Sequence, residues 1–148
     1  MSQVTSTIRI DASPGEVWAV VMDPARLEQW VTIHRKLIDA YSGPPRKGTT
    51  MRQELILRGA HFKVSWRLAE CETNQLAVWE GTGPARSRAR TEYRLTPEDS
   101  GTRFDYDNEF RPPLGALGAV AGRALIGGLP QREAQRSLQM LKQIIEHP

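Results

Sequence analysis

Polar and apolar residues alternate through most of this chain, and the points where the alternation stops mark its elements. In the opening segment VTSTIRID, Val4, Ile8 and Ile10 share one parity with Ser6, while Thr5, Thr7, Arg9 and Asp11 share the other. That two-residue period predicts a half-buried strand. The next stretch, ASPGEVW, reads as a helix start. Ser13 serves as N-cap, Pro14 suits the first helical position, and Glu16 completes an S-x-x-E capping box. Val17, Trp18, Val20 and Val21 form the apolar content of this helix, and Asp23-Pro24 ends it. The same dipeptide caps a second short helix whose apolar side is Leu27, Trp30 and Val31.

From Thr32 to Arg111 the period returns to two. Strands are expected over 33–41, 49–58, 61–70, 76–82, 87–96 and 102–110, separated by short breaks rich in Gly, Pro, Asn and Asp. Connections this short force consecutive antiparallel pairing, so these strands form a meander. After Pro112-Pro113 the pattern turns helical, and Ala134, Leu138, Leu141 and Ile145 step by four, three and four along one stripe. A helix laid across one face of an antiparallel sheet is the natural α+β solution. A chain of 148 residues is most simply one domain, 1–148.

Alternation also assigns faces. Met51, Gln53, Leu55 and Leu57 share a face of one strand, and Phe62, Val64, Trp66 and Leu68 share a face of the next. With a turn at Gly59-Ala60, Gln53 would lie near Trp66 and Leu55 near Val64. Farther on, Ser87, Ala89, Thr91, Tyr93 and Leu95 point inward beside Phe104, Tyr106, Asn108 and Phe110. A purely structural core would be apolar, because an unpartnered buried polar group costs about 1–3 kcal/mol. Gln53, Thr91, Tyr93, Tyr106 and Asn108 on these faces therefore suggest a mixed cavity lining, unless they satisfy one another.

Composition narrows the function classes. Hydrophobic residues at 39% and charged residues at 25% describe an ordinary globular chain. The single cysteine, Cys71, excludes an internal disulfide, and His34, His61 and His147 are too scattered to make a metal site, so neither metal nor cofactor is expected. The N-terminus lacks the basic start and apolar run of a signal peptide, which with the lone thiol suits a cytoplasmic protein. A net charge of +3 permits an anionic partner without requiring one. Arg86, Arg88, Arg90 and Arg94 share a face, but a symmetric turn would set Arg90 against Asp107 and Arg88 against Glu109. No aromatic residues interleave there, so nucleic acid is not an expected partner. Oligomeric state is left open, a homodimer included.

The order of elements, together with DASPGEVWAVVMDPARLEQW, resembles the START-like or SRPBCC superfamily, nearest its bacterial polyketide cyclase/dehydratase-like branch. The matching positions are Ser13-Pro14, Val17-Trp18, Asp23 and Trp30, with a second piece, SGTRFDY, from Ser100 to Tyr106. The resemblance implies a helix-grip fold: a seven-stranded antiparallel sheet wrapped around a long C-terminal helix, with two short helices after the first strand. It implies a cavity between sheet and helix that takes a small, largely hydrophobic molecule, lipid- or polyketide-like. Trp30, Gln53, Leu55, Phe62, Val64, Trp66, Thr91, Tyr93, Tyr106, Asn108, Leu117 and Ala121 are the expected ligand contacts. Two rivals stand beside simple binding: a cyclase, aromatase or dehydratase using Tyr93, Tyr106 or Glu80 as proton carrier, and a protein-interaction module. The parity of Glu80 is not settled, because Gly81 and Gly83 could introduce a bulge.

The stretch PPLGALGAVAGRALIGGLPQREA, residues 112–134, needs its own explanation. Arg123 at its centre and its Gly-Ala content argue against a membrane span. Leu114, Leu117, Ala121 and Leu125 still form a helical stripe, weakened by about 1 kcal/mol at each interior glycine. Two readings follow: a loose lid hinged at 127–130, or close packing that needs small residues. Pro130 should break or kink the helix.

Overall fold

The computed structural model describes residues 2–112 and 128–148, and its elements follow the alternation. They are β1 (Ser2–Ile10), α1 (Pro14–Val21), a 3₁₀ turn (Pro24–Arg26), α2 (Leu27–Trp30), β2 (His34–Asp39), β3 (Thr50–Leu57), β4 (Ala60–Glu72), β5 (Leu76–Thr82), a second 3₁₀ turn (Pro84–Arg86), β6 (Arg88–Glu98), β7 (Gly101–Arg111) and α3 (Gln131–Glu146). The seven strands form one sheet in the order β1-β7-β6-β5-β4-β3-β2, with every neighbouring pair antiparallel. Thus β2 to β7 run as the expected meander, and β1 joins it at β7. This is the helix-grip α+β architecture.

The caps form as the sequence dictates. Ser13 Oγ accepts from the Glu16 amide at 3.2 Å and donates to Glu16 Oε1 at 3.1 Å, so the Glu16 carboxylate reaches the cap through its hydroxyl. Asp23 Oδ1 accepts from the Ala25 amide at 3.0 Å and turns the chain into α2. Pro130 is extended and precedes the first turn of α3, where its missing N–H costs nothing.

The stripe on α3 is Ala134, Leu138 and Leu141, all buried, joined by buried Ser137. Hydrogen bonding explains the serine among them. Its hydroxyl accepts from the Thr32 amide at 3.1 Å and ties the helix to the link between α2 and β2. At the far end Lys142 Nζ donates to the Arg9 carbonyl at 2.9 Å, and Glu146 accepts from the Asp11 amide at 2.7 Å. Helix α3 is therefore pinned along β1. Leu114, Leu117, Ala121 and Leu125 lie outside the described residues, as does the stretch assigned to a lid.

Two registers differ from expectation, each by two residues. The β3–β4 turn is Arg58-Gly59, both at positive φ as a two-residue hairpin requires, so Gln53 faces Val64 and Leu55 faces Phe62. The β6–β7 turn is Asp99-Ser100, so Arg90 faces Glu109, while Arg88 faces Arg111 and gains no opposite charge. Arg90 instead bonds Glu92 on its own strand at 3.3 Å, and Asp107 accepts from Gln3 on β1. A shift of two leaves every side chain on its expected face, because the strand period is two.

Candidate functional site

The inner sheet face changes character along β6 and β7. At one end Leu95 pairs with Phe104, and Tyr93 with Tyr106. The Trp30 indole, fully buried, drops onto these rings edge-on: its centroid lies 5.8 Å from Tyr93, 5.8 Å from Tyr106 and 6.3 Å from Phe104. Toward the other end the inward residues shrink to Thr91, Ala89 and Ser87 on β6 and to Gly81 on β5. There the described residues leave the space between sheet and helical layer unfilled.

A cavity of about 980 Å³, open solvent included, occupies that end. Its lining includes Leu55, Phe62, Val64, Trp66, Thr91 and Asn108, with Gln53, Tyr93 and Tyr106 also facing it. These are nine of the residues expected to touch a ligand. Trp30 is a correction. It supports the cavity floor from behind Tyr93 and Tyr106 and does not line the space, because α2 packs its indole into the aromatic cluster. Leu117 and Ala121 fall outside the described residues. Sequence reasoning left Leu27, Val31, Ile33, Trp79 and Leu129 off the site. Leu27 and Val31 stood on the apolar side of the second short helix and Trp79 stood on β5 at a parity left open, while Ile33 and Leu129 lie in irregular segments with no period to read.

Glu80 is the second correction. Ala77, Trp79 and Gly81 are buried on the inner face and Glu80 is exposed on the outer one, between Arg67 and Arg90 in register. The bulge lies in β4, between Leu68 and Glu70, so β5 keeps its alternation through the glycines. Glu80 cannot move a proton in the cavity.

Gly81 has a specific task. A Cβ there would stand 2.8 Å from the Trp66 ring and 2.9 Å from Val64, so the glycine is what lets the indole lie across β5. The seated indole donates from Nε1 to Gln53 Oε1 at 2.9 Å, and Gln53 Nε2 lies 2.7 Å from His34 Nδ1. Because Gln53 Oε1 already accepts, its amide NH₂ is the donor to His34, and Nδ1 must carry no proton. Burial lowers the His34 pKa below its ordinary value, and the charge of Glu28 only partly opposes this. The buried polar Gln53 is thereby satisfied on both sides.

Thr91 and Asn108 are directly opposed on β6 and β7, and Thr91 Oγ1 donates to Asn108 Oδ1 at 2.9 Å. Among the described residues Asn108 Nδ2 is buried without a close hydrogen bond, its polar neighbour being the Tyr106 phenol. Deeper in, burial pushes the Tyr106 phenol up to about 12, partly offset by the nearby Asn108 side chain, and pushes Tyr93 well up too. Both phenols therefore hold their protons at neutral pH and act as O–H donors.

The remaining chemistry-bearing residues stand apart. His61 pairs with Glu54 on the outer face at 3.3 Å, and His147 is exposed. Cys71 is half-buried, its thiol pushed up by burial, and its Sγ donates to the Pro45 carbonyl at 3.7 Å. Among the described residues no group of three His, Cys, Asp or Glu side chains could hold a metal. No helix of the described residues is long and apolar enough to cross a membrane.

Residues 1–146 match the model of a family described as polyketide cyclase / dehydrase and lipid transport. The chain belongs to this family. Solved structures with the same fold include TTHA0849 from Thermus thermophilus, at TM-score 0.73 and 17% identity over 97% of each chain. CV1439 from Chromobacterium violaceum aligns at TM-score 0.71 and 16% identity over 99% of each chain. DynU16, from the dynemicin biosynthetic locus, aligns at TM-score 0.65 and 18% identity over 99% of this chain and 48% of its own. Among curated proteins the chain is similar to Toxin Rv0910 of Mycobacterium tuberculosis, 21% identical over 84% of this chain and 88% of that protein. At these identities the solved structures bear on the fold, and membership of the family rests on the match along the chain.

Proposed function

We propose that the protein binds a small, largely hydrophobic molecule in the cavity between its sheet and its helical layer. The observation that carries this reading is the contrast along one sheet face: packed rings at one end, and an apolar-walled space with a few converging neutral polar groups at the other. Burying about 200 Å² of apolar ligand surface is worth roughly 5 kcal/mol before the cost of association.

A cyclase or dehydratase reading gains less support. Burial raises the pKa of Tyr93 and Tyr106, which makes both phenols weaker acids and leaves almost no phenolate to act as a base, and Glu80 faces away. An interaction module gains least. Met140 is the one large hydrophobic side chain exposed among the described residues, which makes no apolar patch.

Native mass spectrometry of freshly purified protein, with displacement of a hydrophobic dye, tests the binding reading. A co-purifying ligand or saturable displacement, weakened by Tyr106→Phe or Tyr93→Phe, is expected. If no ligand co-purifies, nothing displaces dye, and both substitutions are silent, the reading fails.

A further inference from the structure

A buried polar group in the cavity wall is connected to a titratable group outside it. Gln53 and Trp66 line the cavity, whereas His34, at the start of β2, is half-buried and stands apart from the lining. Trp66 Nε1 lies 2.9 Å from Gln53 Oε1, and Gln53 Nε2 lies 2.7 Å from His34 Nδ1. The sense of these two bonds is not free. An indole N–H can only donate, so it fixes which end of the Gln53 amide it meets, and the NH₂ at the other end can only donate in turn. His34 Nδ1 must accept, which makes the imidazole neutral with its proton on Nε2.

Protonation of His34 breaks this arrangement. An imidazolium donates from both nitrogens and meets the Gln53 NH₂ as a second donor. Their contact survives only if the amide turns over, giving Oε1 to Nδ1–H and NH₂ to the indole. The indole N–H then faces a donor, and a buried donor stripped of its acceptor costs about 1–3 kcal/mol. Trp66 lies over Gly81 with no side chain from that position beneath it, so the bond to Gln53 is the polar contact that orients the ring.

The charges around His34 are otherwise engaged. Glu28 on α2 favours the imidazolium, but burial outweighs it and holds the pKa below 6.5. On β3, Glu54 pairs with His61 on the outer face, and Arg52 pairs with Asp39 of β2. Arg26, before α2, bonds Gln29, and Glu133 of α3 is held by Thr32 and Arg136. Arg35 and Lys36 follow His34 on β2 itself and add to the disfavour of a further positive charge.

We propose that His34 is a proton-sensing site that controls occupancy of the cavity through Gln53 and Trp66: the neutral imidazole holds the indole in the wall, and the imidazolium releases it and weakens ligand binding. Proton site and ligand site are distinct, joined by one amide with two orientations. This rests on the binding function proposed above.

Two measurements test it. In the ligand-free protein, NMR should show the Trp66 Nε1–H resonance moving upfield, as an N–H that loses its acceptor does, with the same midpoint as the His34 ring, below pH 6.5. Trp66→Phe identifies that resonance. The second probe is N-phenyl-1-naphthylamine, a dye uncharged across this range, whose affinity should fall about tenfold between about pH 7.5 and about pH 5. By reciprocity the bound dye should weaken proton binding at His34 by the same factor. His34→Gln, whose amide oxygen accepts from Gln53 at every pH, should abolish the fall, whereas His61→Gln and His147→Gln should retain it. A Trp66 resonance that ignores the His34 titration overturns the relay. Saturable dye binding of equal affinity at both pH values, or a fall that persists in His34→Gln, overturns the control of occupancy and leaves the cavity reading standing. If His34→Gln does not fold, a His34 titration unmoved by the dye in the native protein overturns it instead. If the dye binds at no pH, the control of occupancy is overturned, and the cavity reading falls with it only when no other ligand binds or co-purifies.

Discussion

The two ends of the inner face on β6 and β7 are built on the same strands with the same parity, and they do opposite things. At the Leu95–Phe104 end, Tyr93, Phe104, Tyr106 and Trp30 fill the space with rings whose centroids lie 5.6–6.3 Å apart. At the Ala89–Phe110 end, Gly81, Ala89 and Ser87 leave room, and the larger residues line a space without closing it. An inward side chain is thus part of a core or part of a pocket according to what stands opposite it. Trp30 decides this at the first end by arriving from α2, and nothing among the described residues does so at the other.

The sharpest way to break this contrast is to truncate one ring at each end. Phe104→Ala should cost about 3–5 kcal/mol in urea denaturation, since Phe104 is fully buried and its neighbours cannot collapse. Phe62→Ala should cost clearly less, about 1–2 kcal/mol, because its ring already borders unfilled space and forfeits fewer contacts. Equal losses would mean that the two ends are packed alike. Next comes Gly81→Ala, whose new methyl must displace the Trp66 ring. A loss of about 1–3 kcal/mol is expected, with a shift in tryptophan emission as the bond to Gln53 opens. An unshifted spectrum at native stability would remove Gly81 from the account of the cavity wall.

Smaller effects refine the picture. Ala85 sits in the left-handed region at φ 52° in the 3₁₀ turn beside the cavity, next to Arg86 at φ 63°. Relief of the Cβ clash should outweigh the added chain entropy, so Ala85→Gly is expected to stabilise by about 0.5–1 kcal/mol in the same denaturation assay. Destabilisation would show that the alanine methyl holds the turn. The last effect depends on pH. The folded His34 pKa is lowered, so neutral His34 contributes stability above its unfolded value of 6.5, and that contribution fades as pH falls from there through the folded pKa. Protonation would also set two donors, Nδ1–H and the Gln53 amide, against each other. NMR titration should place His34 below 6.5, and His34→Gln should flatten this part of the stability profile. A His34 that titrates at or above 6.5 breaks the chain from Trp66 to Gln53 to His34.

Faces proved more legible than registers. Gln53 was placed against Trp66 from a turn at Gly59-Ala60; the turn is Arg58-Gly59, yet the two side chains still meet diagonally and bond. Moving a hairpin turn by one residue shifts pairing by two and preserves parity, so the assigned faces hold despite an incorrect register. Charge pairs did not survive, because Arg88 against Arg111 depends on the register itself. Tyr41 shows a different limit. It stacks on Trp79 with centroids 6.1 Å apart and its hydroxyl donates to the Met22 carbonyl, pinning the segment after β2 to the end of α1. No local pattern announces a contact made across the fold.

The chain's periodicity and punctuation by themselves determine the strands, the capped helices, the meander and which side chains look inward, because each depends on a few neighbouring residues. Whether an inward residue is packed or lines a cavity was decided by tertiary structure alone. That outcome is a matter of volume and hydrogen-bond geometry between elements distant in sequence. Trp30 from α2 seals one end of the sheet, Gly81 makes room at the other, and Thr91 takes the oxygen of the Asn108 amide.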